Sequence, residues 1–173
     1  MVEYEEKKMM EDKNMSIWFL LNGLLLIWAI WNVASGVAVH TSYIHILLGF
    51  AGFLFFIFNW TRNAVFSTIR NIENRQTKIR LATMSKRVRP YHRWVGTGAF
   101  LIILLHAWAV GALYGFNLGN MKILTGFLAS INLFVLVLSG WYRLLVDPRI
   151  KIRKLHIRLG VSMFILTAVH FIY

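Results

Sequence analysis

Five apolar stretches, at residues 17–39, 43–60, 91–116, 121–145 and 155–173, take up most of this chain. A helix needs about 20 apolar residues to cross the ~30 Å hydrocarbon core of a bilayer. In that core every backbone N–H and C=O must be satisfied internally, which makes helices the fold for apolar runs of this length. The expectation is an all-α, polytopic membrane helix bundle with five transmembrane helices. Residues 1–16 would form an N-terminal tail and residues 17–173 the bundle, interrupted by a basic loop at about 62–90. No length remains for a second compact domain. The first run is expected to be a retained anchor, because it is too long for a signal peptide and acids precede it.

The basic residues set the expected orientation. Of the 19 lysines and arginines, all but Lys122 precede the first run, lie between the second and third, or flank the turn between the fourth and fifth. By the positive-inside rule that side is cytoplasmic, with the N-terminus inside and the C-terminus outside. Trp18, Trp60, Trp94 and Trp141 fall at the inner ends of runs, where an aromatic belt belongs. The net charge of +12 therefore reads as membrane topology, and no nucleic-acid partner is expected. The loop at 62–90 mixes basic residues with Phe66, Ile69, Ile72, Ile79 and Met84, a pattern for resting on anionic lipids or docking an acidic cytosolic partner.

Two of the runs share a second pattern. His92 and His106 bracket thirteen residues, and so do His156 and His170; in each a glycine, Gly96 or Gly160, follows the first histidine by four. Fourteen residues of helix rise about 21 Å and leave a rotation of only about 40°, so both histidines of a run share a face. The third and fifth runs cross the membrane in the same direction. If they pack face to face, His92 meets His156 near the cytoplasm and His106 meets His170 nearer the outside.

Such pairs suit haem iron, for which two imidazoles complete a six-coordinate centre. Zinc is less suited, since two ligands per level leave its tetrahedral shell incomplete. With no cysteine in the chain, covalent c-type haem, iron–sulfur clusters and thiolate metal sites are excluded. The cofactor expectation is two non-covalent haem b groups, with His92, His106, His156 and His170 as iron ligands and a quinone as a further candidate. Gly96 and Gly160 would give a flat macrocycle clearance, or merely allow close helix packing. Arg93 and Arg158 are candidates for the inner propionates, although positive-inside placement also explains them. The outer propionates would lean on water, Trp108, Tyr114 or Tyr173. His40 and His45 read as solvated interface residues, or as hydrogen-bond partners of an outer propionate or an electron acceptor.

Paired H-x(13)-H motifs on two parallel helices separated by one helix resemble the di-haem b-type cytochromes, and among them the ferric reductase-like transmembrane domain. The four ligands of that family's pattern fall on His92, His106, His156 and His170. The resemblance implies transmembrane electron transfer from the inner to the outer face, as the membrane cytochrome component of a reductase. A cytosolic flavoprotein or membrane quinol would be the donor, an outer-face molecule the acceptor, and a bacterial cytoplasmic membrane the location. Members commonly have six spans where this chain shows five, and larger members carry a flavin and nicotinamide domain. No G-x-G-x-x-G occurs here, so any flavin is expected on a partner. The competing readings are a quinol-coupled membrane anchor of a respiratory enzyme and a non-haem scaffold or metal carrier.

Overall fold

The computed structural model describes residues 16–39 and 43–173; the basic residues of the N-terminal tail and His40 lie outside the described residues. The described chain forms six helices: α1 (Ile17–Val39), α2 (Ile44–Asn71), α3 (Arg75–Val88), α4 (Tyr91–Tyr114), α5 (Met121–Leu145) and α6 (Ile150–Ile172). All but α3 are long and apolar enough to cross a membrane, and no strand occurs among the described residues. The fold is an all-α, five-span bundle.

Two boundaries differ from the sequence expectation. The second span was expected to end at residue 60 and give way to a loop at 62–90, but α2 continues to Asn71 and most of the remainder is α3. The last span begins at Ile150 rather than residue 155. The cause is the same at both places. A helix of 28 residues is about 42 Å long, well beyond the hydrocarbon core. Its last turns leave the lipid tails while remaining helical, so hydropathy marks the membrane edge and not the helix end.

Local chemistry explains where the helices start and stop. Asn74 caps α3 by accepting the Gln76 and Thr77 amides at 2.9 and 3.2 Å. Asn120 does the same for α5 with Lys122 and Ile123 at 2.9 and 3.3 Å. α4 ends at Gly115, whose φ of 72° is open to glycine and strained for other residues. Between α5 and α6, Asp147 accepts the Arg149 backbone amide at 3.0 Å and its guanidinium Nε at 2.8 Å, with Nη2 at 2.7 Å.

These bonds hold the Asp147 carboxyl below the usual carboxylate range, the Arg149 side-chain hydrogen bond contributing most. A lowered folded pKa means stabilisation that is present above the unfolded value, near 3.9, and lost as pH falls through the folded one. The melting-temperature difference between wild type and Asp147→Asn should stay constant from about pH 8 to 5 and shrink below about pH 4. A difference that already shrinks between pH 8 and 6 would contradict this account of the turn.

The five spans close into a ring. α1 packs on α2, α2 on α4, α4 on α5, α5 on α6, and α6 back on α1, while α3 folds against α2. The α2–α4 and α5–α6 contacts are the most extensive. The centre is filled by Leu25, Ala29, Phe53, Phe56, Trp60, Ala129, Leu133 and Met163. Outward faces stay apolar, for example Trp31, Leu105 and Ile165, as lipid contact requires. Interhelical polar contacts pin the ring: the Ser16 amide donates to Thr68 Oγ1 at 3.1 Å, Asn132 Nδ2 to the Leu159 carbonyl at 3.0 Å, and Trp141 Nε1 to Thr97 Oγ1 at 3.1 Å.

The tryptophans divide. Trp94 is exposed, as a belt residue should be. Trp60 is buried and meets Trp18 edge-on at 5.2 Å, so this pair belongs to the core.

Candidate functional site

The four histidines come together in two pairs. His92 and His156 have ring centres 6.0 Å apart with planes at 77°, and His106 and His170 have ring centres 6.4 Å apart at 84°. The first pair lies at the basic end of the bundle, near the starts of α4 and α6, and the second toward the opposite end. The histidines do not meet because α4 and α6 pack face to face, as the sequence suggested. Those two helices make no extensive backbone approach. Each belongs to a different half of the ring, α4 to the α2–α4 half and α6 to the α5–α6 half, and the rings reach across from opposite sides.

Each ring is held by its own half through Nδ1. On the α2 side, His92 Nδ1 lies 3.0 Å from Asn59 Oδ1, and His106 Nδ1 lies 2.6 Å from the His45 carbonyl oxygen. On the α5 side, His156 Nδ1 lies 2.8 Å from Ser139 Oγ and His170 Nδ1 lies 3.2 Å from Thr125 Oγ1.

The partners decide where the protons are. A carbonyl only accepts, so His106 donates from Nδ1. Ser139 Oγ spends its one proton on the Leu136 carbonyl at 2.7 Å, and Thr125 Oγ1 gives its proton to the Met121 carbonyl at 2.8 Å. Both hydroxyls must therefore accept from their histidines. Asn59 presents its amide oxygen, which makes His92 a donor too. In neutral imidazole a proton on Nδ1 leaves a lone pair on Nε2. No hydrogen bond reaches the Nε2 of any of these four histidines among the described residues. Four lone pairs thus stand ready, two at each level.

Glycines make room for these rings. A Cβ at Gly49 would stand 3.0 Å from the His106 ring, one at Gly126 3.0 Å from His170, and one at Gly140 3.4 Å from His156. None of these three glycines was singled out from the sequence. The two that were behave otherwise. The space above Gly160 is filled by the Trp60 indole, 2.8 Å from where a Cβ would be, and a Cβ at Gly96 would stand 3.2 Å from the Asn59 amide nitrogen. Gly160 therefore serves helix packing, and Gly96 admits the residue that orients His92.

Cations also differ from expectation. The Arg93 guanidinium lies over the Trp141 ring at 5.9 Å, while remaining near His92, and Arg158 is exposed. Arg62, which the sequence did not mark, is within electrostatic reach of both His92 and His156. The opposite pair was expected to lack basic company, but Lys122 is a charged neighbour of both His106 and His170. Trp108 and Tyr173 are exposed, and the Tyr114 hydroxyl lies 3.5 Å from His45 Nε2. His45 itself is buried, its carbonyl holding His106, and is not the solvated interface residue suggested by its position near a loop.

No group of three or more His, Cys, Asp or Glu side chains comes together among the described residues, so each level offers two nitrogens. In comparisons with known proteins the chain matches no family model, no curated sequence and no solved structure. Its chemistry has to be argued from the site.

Proposed function

We propose that the two histidine pairs each hold one haem b, and that the chain is the membrane cytochrome component of a reductase, as in the ferric reductase-like transmembrane domain it resembles. The observation that carries this reading is the meeting of four histidine rings in twos, each engaged through Nδ1 so that the lone pair is left on Nε2. Metal-ligating histidines nearly always donate their other ring N–H in this way, which sets tautomer and orientation.

The spacing also fits. With a metal–imidazole bond of about 2.0–2.1 Å, and the ring centre about 1.1 Å beyond the nitrogen, two imidazoles on opposite sides of one metal have ring centres about 6.3 Å apart. The observed 6.0 and 6.4 Å bracket that value. Edge-to-face contact alone allows any separation from about 4.5 to 7 Å. It gives no reason for all four Nδ1 atoms to be engaged.

When bound, two such haems supply one-electron carriers at two depths of the membrane. The protein's residues do the rest. Asn59, the His45 carbonyl, Ser139 and Thr125 set the tautomer and aim the rings. Phe53, Phe56, Trp60 and Met163 fill the ring between the levels and exclude water. Arg62 at the basic end and Lys122 at the other offer cations to anionic substituents. The basic end is placed in the cytoplasm by the positive-inside rule, in what we take to be a bacterial cytoplasmic membrane. With haems held there, electrons would enter beside His92 and His156 and leave beside His106 and His170. An inside-negative potential favours that direction by about 2.3 kcal/mol per charge per 100 mV.

The test is a reduced-minus-oxidised spectrum of the protein purified from membranes, with haem and protein quantified. Two b-type haems per chain are expected. A colourless protein from haem-replete cells would overturn the reading in favour of a scaffold or carrier.

A further inference from the structure

Where α3 folds back along the inner end of α2, the two helices leave between them a groove of about 190 Å³, open to one side. Phe58 and Val65 line it from α2, and Leu81, Met84 and Val88 from α3. The Arg62 Nε and Ser85 Oγ beside it have no exposed surface, so what the groove shows a ligand is hydrocarbon. Phe58 and Val65 stand on the face of α2 opposite Phe56 and Trp60, which fill the core. The groove therefore opens outward from the bundle, toward lipid.

Its depth follows from the histidines. Two levels about 21 Å apart, centred in a ~30 Å hydrocarbon core, leave about 4–5 Å of hydrocarbon beyond each. Asn59, which holds His92, marks the inner level on α2. Phe58 is thus inside the hydrocarbon. Val65, six residues beyond Asn59, lies about 9 Å further out and has passed into the head-group layer. The short connection between α2 and α3 runs them antiparallel, which sets Val88 beside Phe58 and Leu81 beside Val65. The groove straddles the membrane boundary.

The groove's rim is cationic. α3 carries Arg75, Lys78, Arg80, Lys86 and Arg87 and no acid. The one ion pair among the described residues joins Arg149 to Asp147, so none of these five charges is neutralised there. Arg80 and Arg87 lie four residues before and three after Met84, in one exposed stripe of α3 along the rim. Arg80 is level with the head groups, and the long stem of Arg87 lets its guanidinium rise to the same layer.

We propose that the α2–α3 groove binds one anionic phospholipid, an acyl chain lying against Phe58, Val65 and Val88 and the phosphate held between Arg80 and Arg87.

Depth and charge together select this occupant. A water-soluble acidic protein can meet the cations but cannot reach the half of the groove that lies in hydrocarbon. A choline lipid fills the groove but brings a further cation to a rim that already has five in excess. An anionic lipid satisfies both, with about 1 kcal/mol expected for each Lys or Arg near its charge.

The experiment strips lipid from the detergent-purified full chain and titrates it with phosphatidylglycerol or phosphatidylcholine of matched chains, counting bound lipid by native mass spectrometry. One phosphatidylglycerol per chain should be retained in preference to phosphatidylcholine, and the preference should fall as salt rises. Arg80→Gln and Arg87→Gln should each weaken phosphatidylglycerol about fivefold, the equivalent of that ~1 kcal/mol, and leave phosphatidylcholine unchanged. Both positions are exposed, so these variants test the site without disturbing the core. Val65→Trp, which fills the groove, should abolish the stoichiometric lipid while helical content is retained. Equal binding of the two lipids overturns the proposal, as does retention unaffected by Val65→Trp. Glycerol phosphate binding as tightly as the whole lipid would remove the acyl chain from the site. Polyglutamate that binds through Arg80 and Arg87 while phosphatidylglycerol does not would assign the surface to an acidic protein instead.

Discussion

Replacing His170 with alanine should remove one of two haems and leave the other, halving the reduced-minus-oxidised absorbance per chain. The expectation follows from the separation of the levels. The two pairs sit about 21 Å apart along the helices, beyond the ~7–10 Å within which substitutions usually couple. Each pair also has its own anchors, Thr125 and the His45 carbonyl at one level, Ser139 and Asn59 at the other. His106→Ala should give the same half-loss, and His170→Ala combined with His106→Ala should lose no more than either alone, since both empty one level. His92→Ala should empty the other. The informative control is His45→Ala, which keeps the backbone carbonyl that holds His106 and should retain both haems. Full haem content in His170→Ala, or half in His45→Ala, would refute the pairing.

The sequence carried the spans and the four histidines well, because both signals are one-dimensional. Apolar run length reports membrane crossing directly, and a fourteen-residue interval fixes which residues share a helix face. What failed was anything requiring knowledge of which helices are neighbours. Gly160, at the same offset as Gly96, could be read as clearance for a macrocycle or as a packing position, and the Trp60 indole that approaches it comes from a helix whose neighbours chain order alone does not reveal. Arg93 and Arg158 were chosen for being adjacent to histidines in the chain. Arg62 was overlooked at thirty residues' remove from His92, though it is a charged neighbour of both His92 and His156. The anchors, however, had left a trace. His45 and Asn59 are fourteen apart, as are Thr125 and Ser139, and Gly126 and Gly140. The interval of the histidines is thus repeated by polar and small residues in the antiparallel helices that support them. A polar pair at the ligand spacing in an intervening apolar run is the signal that would have found them.

Those anchors lead to a second large effect. Thr125→Val preserves shape and removes the oxygen that accepts from His170 Nδ1. The Met121 carbonyl, to which the hydroxyl donates, is already within helix backbone, so the loss falls on the histidine. An Nδ1 proton without an acceptor is costly in a low-dielectric interior, and the ring can relieve it by moving the proton to Nε2, where it blocks the lone pair. Removing such a supporting partner typically costs 10–100-fold in metal affinity, about 1.4–2.7 kcal/mol. Haem transfer to a competing apo-globin should therefore be faster by that order at this level, with the His92/His156 level unchanged. Ser139→Ala should show the mirror image. Thr125→Ser separates orientation from packing: it restores the oxygen while leaving a methyl-sized gap, and should return affinity to near wild type. If Thr125→Ser behaves like Thr125→Val, the hydroxyl is filling space and not setting the tautomer, and the case for four poised nitrogens loses its foundation at that level.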